Sequence, residues 1–301
     1  MRPGRRRVVV ARDDGGGWHV QAPRPWDDAE HMALLRDPAD ARVVAGLDVP
    51  LGVPRAWAHA AGVTAFRQVL AGMRDGRWPR FADPAPTAAD IDTLRPFYPR
   101  APGGTSRADL VTGLGLAGPA DLLRACDQAI PGRAPAAAPL FWLVGAQQVG
   151  RAALSAWDEV VAPALAHDHV RMWPMDGRLP ALACPGRVVL AECYPRAAYE
   201  WPLGLPRTGW SKRRRDDRRA RAQQALDWAA QHLPSVHPCP ALRDAVKDGF
   251  GAGPDGEDGF DALMGALQMM AVMDGLLPDM PDGIDPAHLA VEGWILGRPA
   301  G

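Results

Sequence analysis

The pattern of apolar positions along the chain predicts an α/β protein built around a parallel sheet. Two apolar runs, within residues 43–54 and 187–195, are continuous rather than alternating, which is typical of strands buried on both faces. Each run breaks at proline. Because proline cannot donate to the ladder of a central strand, we expect each strand to end there.

Signals of a hairpin and a helix precede the first of these runs. Residues 8–12 and 18–22 are β-prone and flank a glycine-rich reversal, which predicts a β-hairpin. Asp27 and Glu30 have the spacing of a capping box, so a helix is expected to begin there and to end near Pro38.

The segment between the two runs has a different character. From about residue 55 to residue 140 it is rich in proline, with helical periodicity in residues 63–73 and 121–130 and loop composition elsewhere. We interpret it as a large helical and irregular insertion that covers one face or edge of the sheet. The whole chain, residues 1–301, is then a single domain.

Each apolar run carries one acid close to its proline break. Asp48 and Glu192 are therefore predicted at the carboxyl ends of two strands, where open α/β sheets bind ligands. A single aspartate in this position is more often a turn or capping residue. Two strands of the same design favour a functional role, because a glutamate in an apolar run is costly to bury without a partner or a metal.

A second acidic feature leads into the apolar stretch at residues 262–273. Asp258 and Asp261 are three residues apart, and in a helix they would occupy neighbouring positions on one face. Acids in a first helical turn are also ordinary capping residues, which is the alternative for this pair.

Carboxylates without histidine or cysteine partners suit a hard ion that prefers oxygen ligands, such as Mg²⁺ or Mn²⁺. Two such ions can clamp the attacking and leaving oxygens of a phosphoryl transfer. We therefore predict Asp48, Glu192 and Asp261 as metal ligands, with Asp258 as an auxiliary ligand or base.

The charge of the chain gives evidence about a binding partner at only one local patch. Of the 301 residues, 47% are hydrophobic and 23% are charged, and the formal net charge is −1, which gives no global attraction to nucleic acid. The one basic patch lies at residues 212–221, where Lys212, Arg213, Arg214 and Arg215 are candidate phosphate contacts. The interleaved Asp216 and Asp217 favour a solvated helix face as the alternative for part of this run.

The remaining composition is that of a reduced intracellular protein. The four cysteines are widely spaced without a Cys-x-x-Cys pair, which disfavours a zinc or redox site. No apolar segment follows the arginine-rich start as a signal sequence would, and no apolar segment is long enough for a bilayer. We expect a cytoplasmic protein without membrane contact.

The order of a strand acid, a second strand acid and a helical acid pair resembles the ribonuclease H-like superfamily, particularly its RuvC-type resolvases. Four motifs, at residues 46–54, 192–195, 257–262 and 292–295, carry a finer likeness, with smaller ones at residues 141–142, 148–150 and 173–174. Through them the chain resembles the DUF429 family of predicted nucleases over nearly its whole length.

This resemblance implies a ribonuclease H-like mixed sheet flanked by helices, but one expected strand is missing. The family's first strand carries an acid in a Gly-x-Asp context, and nothing of that kind precedes the hairpin; Asp13 and Asp14 lie in its predicted turn. That first strand lies between the second strand and the strand of Asp48, so its loss is expected to leave a gap in the sheet. Either codons upstream encode it, or the protein has lost both strand and ligand.

The leading functional hypothesis is a metal-dependent nuclease that acts on DNA, RNA or a nucleotide. One alternative is a binding module for nucleic acid or nucleotides whose acid cluster is impaired by the missing strand. Another is a small-molecule phosphotransferase of the same superfold, since fold alone does not decide chemistry. The lack of glycine-rich phosphate hairpins after the strands counts against this last hypothesis.

Overall fold

In a computed structural model, which describes residues 6–130, 136–144 and 148–300, the two acid-bearing runs form neighbouring parallel strands. Strand β5 (Arg42–Leu47) pairs along its whole length with β7 (Arg187–Glu192), and β6 (Val170–Met172) pairs with the other side of β7. The sheet order is β5-β7-β6, and Leu47 lies opposite Glu192 in the register. Both runs therefore end at the same edge of one sheet.

Two smaller sheets complete the β-structure of the described residues. Strands β2 (Ala11–Asp13) and β3 (Trp18–Val20) form the predicted hairpin, and β3 pairs in parallel with β8 (Val236–Pro238). Strands β1 (Arg7–Val8) and β4 (Arg24–Pro25) form a separate two-stranded pair. The fold is thus mixed α/β with several small sheets.

The helices surround these sheets on several sides. In chain order they are α1 (Asp28–Arg36), α2 (Arg55–Ala60), α3 (Phe66–Arg74), α4 (Arg107–Gly113), α5 (Val149–Ala156), α6 (Ala162–Ala164), α7 (Leu179–Leu182), α8 (Pro195–Glu200), α9 (Arg215–His232), α10 (Pro240–Lys247), α11 (Gly253–Met273) and α12 (Pro286–Glu292). A π-helical turn, Trp157–Val161, joins α5 to α6. None of the described helices is long and apolar enough to cross a membrane.

Alternation along β7 divides the interior into two cores. Val188 and Leu190 point into one core, whereas Val189 and Ala191 point into the other. A parallel strand covered on both faces has this continuous apolar sequence, as its pattern predicts. The first core includes the insertion, and the second is formed largely by α8 to α11.

Within residues 55–140, the described elements are α2, α3, α4 and short 3₁₀ turns, without a strand of the named sheets. Its aromatic residues make the first core: Trp57 packs against Phe81 and Phe141, with ring centroids 5.7 and 5.4 Å apart. All three rings are fully buried. The insertion is therefore tied into the fold by aromatic packing.

No strand of the described sheets lies between the hairpin and the strand of Asp48. Strand β5 pairs in full register with β7 on one side and has no strand partner among the described residues on its other side, and the hairpin belongs to another sheet. The strand of Asp48 is therefore an edge strand, as expected if the strand between it and the hairpin is missing.

The predicted start of the last long helix was wrong. Helix α11 begins at Gly253, well before the apolar run at residues 262–273, with proline at its second residue. Glycine disfavours helix interiors, which hid this start, but Gly256 here faces buried Arg218. Asp258 and Asp261 are consequently inside the helix and are not its capping residues.

Glycines in two of the motifs allow the chain after β5 to meet the chain after α12. A Cβ atom on Gly52 would lie 2.0 Å from the carbonyl oxygen of Glu292, and one on Gly293 would lie 2.2 Å from that of Leu51. Gly293 also has a φ of 63°, which side chains rarely adopt. The two loops cross at a distance that only glycine permits.

This close approach predicts the effect of Gly52→Ala. Because the new methyl group would meet backbone atoms, which cannot rotate away, we expect a loss of about 1–3 kcal/mol in the free energy of unfolding. Urea titration monitored by circular dichroism measures it. Gly118→Ala is the matched control, since Gly118 is extended and no atom lies within 4 Å of its Cβ position. Equal stability of the two variants would contradict the prediction.

Candidate functional site

Asp48 lies immediately beyond the end of β5, at the edge of the sheet where the sequence places it. The following residues, Val49 to Pro54, are all buried and turn the chain into α2. Trp157 donates to the carbonyl of Pro50 at 2.7 Å and fixes this turn. Asp48 itself is exposed, and its carboxylate accepts no hydrogen bond from the described residues. It is an accessible acid on a rigid support.

Helix α11 carries the second pair of acids and packs against the strand that precedes Asp48. It packs against β5, where Gly46 faces Met269 so closely that a Cβ atom would lie 2.2 Å from the sulfur. Asp258 and Asp261 are half-buried, one turn apart on this helix. Glycine at position 46 thus allows the approach that brings α11 onto the strand of Asp48.

The two helical acids differ in their partners. Asp261 accepts from the phenol of Tyr199 with Oδ1 and pairs through Oδ2 with the ammonium of Lys212. Asp258, in contrast, accepts no hydrogen bond from any described residue. Tyr199 is buried on α8 and packs against Phe260 and Trp210, which form an aromatic wall beside the acids.

The electrostatics show that these groups share one environment. Exclusion of water by the surrounding protein raises the pKa of Asp48 to about 7; the charges of Asp261, Glu192 and Asp258 add to the shift, and Lys212 opposes it. Burial, with help from Asp261, likewise raises the pKa of Asp258. The Asp48 side chain keeps contact with solvent although many protein atoms surround it, so both burial and the neighbouring carboxylates act on its pKa. A bound cation would offset the repulsion among these carboxylates.

Burial acts to lower the pKa of Lys212, but the charges of Asp261 and Asp48 outweigh it and leave the pKa raised. The pKa of the Tyr199 phenol is raised well above its usual value by burial and by Asp261, so it remains a hydrogen-bond donor at neutral pH. Lys212 and Tyr199 therefore contact the two oxygens of the Asp261 side chain. Neither contact follows from sequence spacing.

Glu192 is held differently from the ligand role expected of it. Both carboxylate oxygens accept from the Arg124 guanidinium, at 2.6 and 2.7 Å, and one also accepts from the backbone N–H of Leu51 at 2.8 Å. Glu192 is 3% exposed and Arg124 is 1% exposed. With its oxygens engaged by a buried cation, Glu192 is an anchor for the turn after Asp48 in this structure. The physical reason is that Arg124 supplies the countercharge which the sequence argument assigned to a metal.

Arg124 also connects Glu192 to α12. It also pairs with Asp127, at 2.9 Å, and donates to the carbonyl of Glu292 at 3.1 Å. The Glu292 carboxylate is buried too and accepts from the backbone N–H groups of Arg55 and Ala125. The buried ion network, which we define as Arg124, Asp127, Glu192 and Glu292, therefore joins the insertion, the sheet and α12.

The basic run separates into one residue at the acid cluster and others that stabilise the fold. Only Lys212 among the four predicted phosphate contacts pairs with Asp261. Arg214 pairs with Asp217 at 2.6 Å, and Arg215 pairs with Asp248. The Arg213 side chain is exposed and has no partner among the described residues. Much of the run is thus a self-paired surface, as the interleaved acids indicate.

Sequence reasoning missed Arg124 and Tyr199, and it missed the contact of Lys212 with Asp261. These contacts join residues 49 to 68 positions apart in the chain. Of the buried ion network, Glu192 and Glu292 lie in motifs that carry the resemblance, whereas no pattern of spacing marked Arg124.

Within the described residues, no three His, Cys, Asp or Glu side chains converge closely enough to share one metal ion. No protein-family model, no curated protein and no solved structure shows significant similarity to the chain. The functional interpretation therefore depends on the geometry and electrostatics of the site itself.

The buried ion network predicts a large effect of Arg124→Met. Loss of the guanidinium leaves Glu192 and Asp127 buried without a countercharge, so the free energy of unfolding should fall by about 3–5 kcal/mol. Chemical denaturation measures it. Arg100→Met is the matched control, because Arg100 pairs with Asp83 at the surface at 2.7 Å and should cost at most about 1 kcal/mol. Similar losses in both variants would contradict the role of the network.

The raised pKa of Asp48 predicts a pH dependence of stability. The folded state keeps Asp48 protonated up to about pH 7, whereas the unfolded chain releases the proton near pH 4. The stabilisation from this group is thus complete below about pH 4 and is lost as pH rises through about 7. We expect wild-type stability to decline relative to Asp48→Asn across this interval.

Urea unfolding of both proteins at several pH values measures the difference. Asp40→Asn is the control, since Asp40 is an exposed aspartate in the turn before β5. A constant difference between wild type and Asp48→Asn over this pH interval would show that the acids do not interact as described.

Proposed function

We propose that the protein is a metal-dependent phosphodiesterase, a nuclease acting on nucleic acid or a nucleotide, with its active site at Asp48, Asp258 and Asp261. The observation that carries this proposal is the carboxylate of Asp48 at a strand end, without a hydrogen-bond donor among the described residues, where burial and then the charges of Asp261, Glu192 and Asp258 raise its pKa to about 7. Such crowding is costly without a cation, and it is typical of sites that bind one.

The donor chemistry fits Mg²⁺ or Mn²⁺. Asp48 and Asp258 present carboxylates without hydrogen-bond donors from the described residues, and Asp261 lies on the same side of α11 as Asp258. No three of these acids converge on one point, so one or two carboxylates would hold the ion and water would complete its coordination, as is usual for Mg²⁺. Oxygen ligands of this kind are those that both ions prefer. When bound, such an ion stabilises the charge that develops on a phosphoryl oxygen.

The residues of the chain divide the remaining tasks. Asp48 and Asp261 are the principal ligands, and Asp258 is an auxiliary ligand or a base that takes a proton from water. Lys212 and Arg213 supply positive charge for the substrate phosphate. Glu192 leaves the ligand set that the sequence predicted, because Arg124 engages both of its oxygens.

A ribonuclease H-like fold and kinship with the DUF429 family are part of this proposal. Support comes from the parallel pairing of the two acid-bearing strands, with Leu47 opposite Glu192, and from a long helix that brings acids to the end of the first strand. The crossing of the two glycine-containing motifs gives those sequence likenesses a physical reason.

The proposal predicts metal-dependent cleavage. Labelled DNA and RNA oligonucleotides, single-stranded and duplex, should be hydrolysed with Mg²⁺ or Mn²⁺ and not with a chelator. Asp48→Asn and Asp261→Asn should lower kcat/KM by about a hundredfold or more, because a bound ion contributes several kcal/mol to the transition state. Asp274→Asn, just beyond the other end of α11, is the control.

Thermal unfolding provides the matching measure of metal binding. Mn²⁺ should raise the Tm of the wild type and of Asp274→Asn, and raise it clearly less in Asp48→Asn and Asp261→Asn. A Tm that rises without cleavage of any oligonucleotide would favour the binding-module hypothesis. No cleavage and no rise in Tm would refute the proposed site.

A further inference from the structure

Lys212 places a positive charge directly on the Asp261 carboxylate. Its ammonium contacts Oδ2 of Asp261, while the Tyr199 hydroxyl donates to Oδ1. Tyr199 is buried on α8 against the aromatic wall and has little freedom to withdraw. A metal ion that coordinates Asp261 through Oδ2 would therefore compete with the ammonium for that oxygen and would be repelled by its charge.

The backbone of Lys212 is fixed although its side chain is not. Buried Arg218 donates to the Lys212 carbonyl at 2.5 Å and also to the carbonyls of Gly249 and Gly251. The Lys212 side chain is 41% exposed, compared with 14% for that of Asp261. The ammonium can thus turn towards solvent on its four-carbon stem without any movement of the chain.

We propose that Lys212 is the resident counter-ion of this site, which a divalent metal must displace from Asp261 in order to bind. This inference rests on the proposed function, since it assumes that the acids bind a metal. Before displacement, the ammonium offsets part of the repulsion among Asp261, Asp48 and Asp258. After displacement, the same positive charge is available to a phosphate oxygen of the substrate.

The chain contains only two lysines, Lys212 and Lys247, which makes a direct spectroscopic test possible. In protein labelled with ¹³C-lysine, the two ε-methylene signals are assigned by comparing wild type with Lys247→Met. Titration with Mg²⁺ should shift the Lys212 signal and leave the Lys247 signal unchanged. If the Lys212 signal does not move while Mg²⁺ binds, the displacement does not occur.

Calorimetric titration with Mn²⁺ tests the competition itself. Lys212→Met keeps most of the aliphatic stem and removes the charge, so it should bind Mn²⁺ at least about fivefold more tightly than the wild type, the lower end of usual couplings between sites. Lys247→Met is the matched control. Lys247 is exposed on α10, where its ammonium lies 3.5 Å from the carboxylate of Asp244. Its affinity should equal that of the wild type.

The outcomes separate this inference from the proposed function. Equal or weaker Mn²⁺ binding by Lys212→Met overturns the counter-ion role. If metal-dependent cleavage by the wild type is nevertheless observed, the proposed function stands without it. Tighter binding by Lys212→Met with no cleavage by the wild type supports the counter-ion role and contradicts the proposed nuclease activity.

Discussion

The structure depends on one buried guanidinium. Arg124 is almost without contact with water, yet it carries a full charge, so its position is stable only with strong partners on every side. Glu192 and Asp127 provide them through paired hydrogen bonds, and the Glu292 carbonyl provides another. Because these partners come from separate segments, the chain must fold the insertion onto the sheet to satisfy this charge.

The need of Arg124 for a charged partner also gives the two acids at the strand ends different roles. Glu192 and Asp48 follow neighbouring parallel strands and differ in sequence context only slightly. The guanidinium neutralises Glu192, which then holds the turn after β5 through the N–H of Leu51. Asp48 receives no such partner and stays exposed beside Asp258 and Asp261. One acid thus positions the loop, and the other has no hydrogen-bond donor among the described residues.

Neighbouring polar groups restrain the acid cluster and offset part of its negative charge. Lys212 and Tyr199 fix Asp261 from opposite oxygens, and the aromatic wall keeps Tyr199 in place. Burial and the remaining repulsion from the neighbouring acids raise the pKa of Asp48 to about 7. The site thus combines carboxylates on a strand end and a helix with one ammonium group that pairs with them.

Sequence patterns alone determined the local features of this protein. The hairpin, the Asp27 cap of α1, the two parallel strands and the position of Asp48 after β5 follow from periodicity, proline and turn chemistry, which act over a few residues. Only the tertiary structure decided that α11 begins at Gly253, that β5 is a half-buried edge strand whereas β7 is buried, and that Arg124 pairs with Glu192. These outcomes depend on contacts between residues far apart in the chain, where packing outweighs propensity and a countercharge can come from any segment. Spacing shows where an acid is, but the acid's role depends on which cation the fold brings to it.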